Sequence, residues 1–243
     1  MNKLACFFLA FALLLLMTGC GSLVNPIPKN VLMVKKIEED NKNDAISMPR
    51  GVLAVESTKS LGLNALGKYF GVRLSADQAQ FEVRVVDINA LKGLVEQNIE
   101  PDERKDAEAM LKEVPEGLFY LTITSSSNHR YELVLNAGTG EVLKISNQNQ
   151  ANRLSDLKTF ELDSSTIDKF LQEKQGVKSE ELEQIEKLIF ENREVTYVYR
   201  NLKDDRVRYV IEEDITQNKI KGFSKDIMAL LTWTAKLKHG YPK

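Results

Sequence analysis

Two cysteines and two histidines are the only thiols and imidazoles in the 243 residues. Cys6 lies inside an uncharged run from Leu4 to Met17, and Cys20 follows Thr18-Gly19 just beyond that run. His129 closes the stretch Ser125-Ser126-Ser127-Asn128-His129, so a hydroxyl and a base are neighbours along the chain. Activation of a serine also needs a third group that orients the base. A polar turn does not supply one, and no G-x-S-x-G elbow is present. The stretch therefore reads as a solvated hairpin turn. With only His129 and His239, neither an HExxH pair nor a three-histidine zinc site can be built.

The acidic run Glu212-Glu213-Asp214 has Asp204 and Asp205 in a neighbouring turn. Strand alternation sends Glu212 and Asp214 to one side and Glu213 to the other. Two converging carboxylates are too few for calcium. Gly62, Gly67 and Gly71 do not have the spacing of a phosphate-binding loop. No catalytic, cofactor-binding or metal-ligating residue is assigned on these grounds, and no cofactor is expected. Tyr197, Tyr199 and Tyr209 alternate within strands, and Trp233 stands in the tail beside Lys236 and Lys238. These four aromatics are the candidate interface residues, with ordinary sheet and helix packing as the alternative.

The chain begins with Lys3, the apolar run of about 14 residues, and the small residues Thr18 and Gly19. That is the make-up of an export signal, and it is shorter than the roughly 18–20 residues a spanning helix needs. Leu16-Met17-Thr18-Gly19-Cys20 resembles the lipobox of bacterial lipoproteins, with Met17 where Leu, Val or Ala is more usual. The resemblance implies that the Cys20 thiol carries a diacylglycerol, that residues 1–19 are removed, and that the new amino group is acylated. Two or three acyl chains, at about 0.8 kcal/mol per buried methylene, make such attachment stable. Gly21, in place of an aspartate, implies the outer membrane rather than the inner one.

The remaining 224 residues suffice for one large or two small domains. A formal charge of −2, or −3 once Lys3 is removed, lacks the basic surface of a nucleic-acid binder. With Cys6 lost and Cys20 acylated, no disulfide, thiol catalysis or thiolate metal site is available.

Residues 20–30, with Pro26 and Pro28, read as a short tether. Val31 to Ile37 reads as a strand and Glu38 to Asp44 as a charged loop. The glycines at 62, 67 and 71 weaken a helix around Ser60 to Phe70 to a helical turn over 64–70. Ala79 to Ile88 alternates as a strand, and Asn89 to Gln97 reads as a short helix. Pro101 to Glu113 has a proline and acids at its start and apolar residues at helical spacing. Phe119 to Ile123, Tyr131 to Leu135 and Val142 to Ile145 then alternate as three strands. Gln148 to Asn152 is a polar linker. Asp163 to Gln175 is a helix stopped by Gly176, and Ser224 to Lys238 is an amphipathic helix.

A shift of 78 residues superimposes one part of this pattern on another. Tyr131 falls on Tyr209, Leu133 on Ile211, Asn136 on Asp214, Gly140 on Asn218 and Ile145 on Phe223; Phe119 and Leu121 fall on Tyr197 and Tyr199. The second copy reads as a helix over Ser179 to Phe190, then strands Val195 to Tyr199, Val207 to Ile211 and Lys219 to Phe223. The fold class expected is α+β, with antiparallel sheets backed by helices in two similar helix-plus-three-strand repeats, spanning residues 31–147 and 153–239.

The hairpin Tyr131 to Leu143, with Thr139-Gly140-Glu141-Val142 at its turn, is similar to the final hairpin of PepSY domains; Gln217-Asn218-Lys219-Ile220 departs from that pattern. The resemblance implies a cystatin-like arrangement that holds or inhibits a partner such as a secreted protease. The sequence thus points to a membrane-anchored protein with a non-catalytic protein-binding or scaffold role in the cell envelope. A PepSY-like protease inhibitor or chaperone, and a small-ligand carrier or enzyme with a site built from scattered polar groups, are the alternatives.

Overall fold

The computed structural model describes residues 51–149, 164–190 and 194–239, all within one compact unit. The export signal, Cys20, the tether and the strand expected over Val31 to Ile37 lie outside the described residues. Eight antiparallel strands form one continuous sheet in the order β1-β2-β3-β4-β8-β7-β6-β5. They are β1 (Ala79–Val86), β2 (Leu118–Ser125), β3 (Arg130–Asn136), β4 (Val142–Asn147), β5 (Leu182–Ile189), β6 (Glu194–Asn201), β7 (Val207–Asp214) and β8 (Lys219–Lys225). Five helices back it: α1 (Val55–Phe70), α2 (Ile88–Asn98), α3 (Arg104–Leu111), α4 (Ser164–Phe170, continued by a π turn over Leu171–Gln175) and α5 (Ile227–His239).

The α+β class stands, and the repeat is real but larger than the sequence pattern predicts. Each unit is a helix ended by a left-handed glycine, a 3-10 turn and four strands. Gly71 and Gly176 have φ of 69° and 70°, the region glycine enters without steric cost. In both, the next residue closes the helix: Val72 N–H donates to the Leu66 carbonyl, and Val177 N–H to the Leu171 carbonyl. The turns Ala76–Gln78 and Ser179–Glu181 then lead into β1 and β5.

The step of 78 holds from β3 and β4 to β7 and β8, down to matching irregularities. A bulge lies between Val134 and Leu135 and another between Glu212 and Glu213. Asn136 Oδ1 accepts from Gly138 and Thr139 N–H; Asp214 Oδ1 accepts from Thr216 and Gln217 N–H. Gly140 and Asn218 both have positive φ, as turn residues of these types tolerate. From β2 to β6 the step is 76: Leu121 pairs with Leu133 where Tyr197 pairs with Ile211. The difference is absorbed by the bulge between Tyr199 and Arg200 and a longer β6–β7 turn.

Two helices expected as counterparts are not. Pro101 to Glu113 contains α3, which belongs to a connection from Asp87 to Gly117 between β1 and β2 that the second unit lacks. Ser179 to Phe190 is the 3-10 turn and β5 rather than a helix. Leu182, Ile185, Leu188 and Ile189 have helical spacing because a bulge between Gln184 and Glu186 interrupts strand alternation.

The two units meet where β4 pairs with β8. Ile145 faces Phe223, its own counterpart, with Lys144 opposite Ser224 and Ser146 opposite Gly222. A local twofold therefore passes through the Ile145–Phe223 pair. On one face α1 and α4 cover Phe119, Leu121, Ile123, Leu133, Ile145, Tyr197, Ile211 and Phe223. On the other, α5 lies over β4, β7 and β8 and against α2 and α3. Gly62 lets α1 sit close to the sheet, since a Cβ there would collide with the buried Leu121 side chain. This approach explains a full helix over Val55–Phe70 despite three glycines in or beside it.

Candidate functional site

The α2–α3 hairpin is the main departure from internal symmetry, and it carries a groove. Asp87 starts α2 by accepting at Oδ1 from Asn89 N–H (2.8 Å) and Ala90 N–H (3.0 Å). Arg104, first residue of α3, donates from Nε to the Ile99 carbonyl (3.2 Å) and from Nη2 to the Glu96 carbonyl (3.0 Å). A cation at the end of α2 meets the negative pole of that helix. Leu91, Val95, Ile99, Ala107, Met110 and Val114 are buried and fix the hairpin to the body. Gly117 returns the chain to β2 with φ of 83°, and a Cβ there would collide with the Val86 carbonyl. Asp106 adds a tie to the other unit through Arg206 Nε at 3.3 Å.

The groove has a volume of about 470 Å³. Ile88, Val95, Leu111 and Pro115 give it apolar walls and floor, and Lys92, Lys112 and Arg104 alternate around it with Glu96 and Glu108. Apolar surface with a few charges of both signs suits binding of a chain segment, because burial supplies affinity while the charges fix orientation.

The residues singled out by sequence are distributed elsewhere. Tyr197, Tyr199 and Tyr209 are 2, 8 and 4 % exposed, within the core that α4 covers. Their rings fill space under a helix and offer no surface, because both faces of the sheet are covered rather than one. Trp233 is half-buried on α5, and its Nε1 donates to Glu186 at the bulge of β5. His129 is exposed in the β2–β3 turn; Ser127 Oγ is 3.5 Å from its Nδ1 and 2.9 Å from Ser125 Oγ. His239 ends α5, and Cys20 lies outside the described residues.

The acidic run is divided among three tasks. Asp214 holds its turn, as above. Glu212 Oε1 and Glu194 Oε1 each accept from Lys236 Nζ at 3.0 Å, Thr196 Oγ1 accepts from it at 2.8 Å, and Lys221 Nζ donates to Glu194 Oε2 at 2.6 Å. This network ties α5 to β6, β7 and β8. Burial pushes the Glu194 carboxyl up, but Lys221 and Lys236 outweigh it and hold it below the usual range. Burial pulls the Lys236 ammonium down, and Glu212 and Glu194 outweigh that and raise it.

Glu213, 1 % exposed, accepts from the Tyr197 hydroxyl at 3.0 Å. Burial, then the Glu213 charge, raises the Tyr197 hydroxyl, and burial first raises Tyr199 and Tyr209 to about 12. A second buried carboxylate, Asp226, has Oδ1 2.5 Å from Arg208 Nη1, an ion pair off the hydrogen-bond direction. Burial raises the Asp226 carboxyl more than Arg208 and Lys225 lower it.

Among the described residues no group of three or more His, Cys, Asp or Glu is placed to hold a metal ion, and no helix is long and apolar enough to cross a membrane. The hairpin Tyr131 to Leu143 is central in the sheet, with β3 paired to β2 and β4 to β8, so it presents no free edge. Periodicity alone does not reveal the groove, because it marks one of the two helices as a local element and the other as the first element of the repeat.

No protein-family model and no curated protein matches the chain. Among solved structures, the chain is similar to the Bacillus megaterium YpeB C-terminal domain, at 12 % identity and a TM-score of 0.45, over 79 % of this chain and 68 % of that one.

Proposed function

We propose that the chain is exported, held at a bacterial membrane by lipid on Cys20, and acts as a non-catalytic binding module whose contact surface is the α2–α3 groove. The observation that carries the binding surface is the asymmetry between the units. Two helix-plus-four-strand units share turns and bulges, and only the first adds a helical hairpin, from Asp87 to Gly117. In the second, β6 begins within a few residues of the end of β5, so the strand pairing does not require the hairpin.

The occupant proposed is a polypeptide segment of another envelope protein. Its apolar side chains meet Ile88, Leu111 and Pro115, and its charges meet Lys92, Lys112 and Glu108. Support for anchoring comes from the lipobox resemblance at Leu16 to Cys20. A lipid anchor confines the module to the layer in which such partners reside and raises their effective concentration.

Crosslinking in intact cells tests the reading, with a Cys20→Ala form that is exported but not anchored as control. A discrete adduct formed by the anchored protein and reduced in the control supports it. Equal adducts in both forms would remove the anchoring role, and none in either would remove the binding role.

A further inference from the structure

The groove is walled by helices, and that limits what can lie in it. Every residue lining it comes from the hairpin itself, between Asp87 and Gly117. The two helices run antiparallel: Arg104 Nη2 reaches the Glu96 carbonyl at one end, and Gly117 sits against Val86 and Asp87 at the other. The backbone of the lining is already engaged. Ile99 N–H donates to the Val95 carbonyl at 2.9 Å, Val114 N–H donates to the Leu111 carbonyl at 3.2 Å, and Pro115 has no N–H to give. An extended occupant would find no ladder here, and the amides on its covered side would be left unsatisfied. A helix satisfies its own amides and needs a groove for one apolar stripe only.

The charges around the groove recur at the interval of a helical turn. Lys92 and Glu96 on α2, and Arg104, Glu108 and Lys112 on and just after α3, stand four residues apart, about 6 Å along a helix axis. Counting one turn from the Glu96–Arg104 contact sets Lys92 level with Glu108, and the next turn sets Ile88 level with Lys112. Read from Pro115 toward Glu96, each wall therefore presents a cation and then an anion. On α2 Lys92 comes before Glu96, and on the α3 side Lys112 comes before Glu108.

We infer that the occupant of the groove is an amphipathic α-helix of the partner, with an apolar stripe against Ile88, Leu111 and Pro115 and, on each flank, an acid followed one turn later by a base. This deepens the reading of the groove as the contact surface and rests on it. The acids meet Lys92 and Lys112, and the bases meet Glu96 and Glu108. Acid before base at a spacing of four is also the order that strengthens a helix from within. The occupant accordingly runs in the direction of α2, with its N-terminus at the Pro115 end.

Fluorescence anisotropy with the full chain in its Cys20→Ala form, free of detergent, tests the occupant. The probes are labelled peptides of about sixteen residues, long enough to hold a helix. The first has a leucine stripe with Glu before Lys, one turn apart, on both flanks. The second has the same composition with all acids on one flank and all bases on the other, and the third is the first with a central proline. The first is expected to bind about fivefold more tightly than the second at low salt, because two contacts change from attraction to repulsion. The third is expected not to bind. The Lys92→Glu, Glu108→Lys double variant keeps opposite charges level with one another but carries anions along α2 and cations along α3. It is expected to prefer the second peptide; the wild-type ranking decides alone if this variant does not fold. Absence of binding, equal binding of the first two peptides, or binding of the proline peptide would overturn the inference. So would tighter binding of a peptide copying residues 20–50 of this chain, which would make the occupant internal. If groove positions still crosslink a partner in cells, the helical occupant alone fails; if they do not, the groove reading fails with it.

Discussion

Glu213 and Leu135 hold the same backbone position in the two units, next to the same bulge, and Tyr197 stands where the first unit has Leu121. One unit thus has an aliphatic pair where the other has a buried hydroxyl–carboxylate hydrogen bond. Losing one partner of such a bond costs about 1–3 kcal/mol, whereas replacing both by apolar groups of similar shape is nearly neutral. Tyr197→Phe is accordingly expected to destabilise by that amount in urea denaturation. The pH dependence has a definite sign. Glu194 has a lowered folded pKa, so its contribution is present above the ordinary carboxylate range and is lost as pH falls through its lower folded value. Asp226, whose pKa is raised, acts in the opposite sense: protonating it relieves a burial cost. Glu194→Gln is expected to lose stability at neutral pH and to show a shallower acid decline than the wild type, read from melting temperature against pH. An unchanged acid decline would remove Glu194 as its source.

The elements differ in how openly the sequence declares them, and the reason lies in their surroundings. β2, β3, β7 and β8 alternate cleanly because Leu121, Leu133, Tyr209 and Ile211 all face one helical layer. β5 does not, since its bulge places Leu182, Ile185 and Leu188 at helical spacing among Glu, Gln and Lys. For α1, intrinsic propensity misleads: Gly62 is required by close packing, and Gly71 is the cap. Gly62→Leu is expected to destabilise by about 1–3 kcal/mol through overpacking against Leu121 and Ile123. Gly67→Ala has only the Val72 carbonyl near its new Cβ, at 3.8 Å. It is expected to stabilise by about 0.4–1 kcal/mol through the unfolded chain. Thermal unfolding of the pair separates packing from propensity, and equal effects would contradict this account.

At the scale of the molecule, the duplication was legible in the β3–β4 hairpin, where side-chain turns fix the spacing, and blurred elsewhere. The inserted hairpin pushes β1 far from β2 in sequence, and the longer β6–β7 turn shifts β6 by two residues. The groove depends on how α2 and α3 rest on α5, which periodicity within either helix does not encode. The central claim is that this inserted hairpin is where a partner binds. Photo-crosslinking residues placed at Lys92 and Glu108 in the groove, and at His129 in the β2–β3 turn, at the far end of β1 and β2 from the hairpin, test it in intact cells. One common adduct is expected from positions 92 and 108 and none of that mass from 129; the same adduct from all three, or from 129 alone, would contradict the claim.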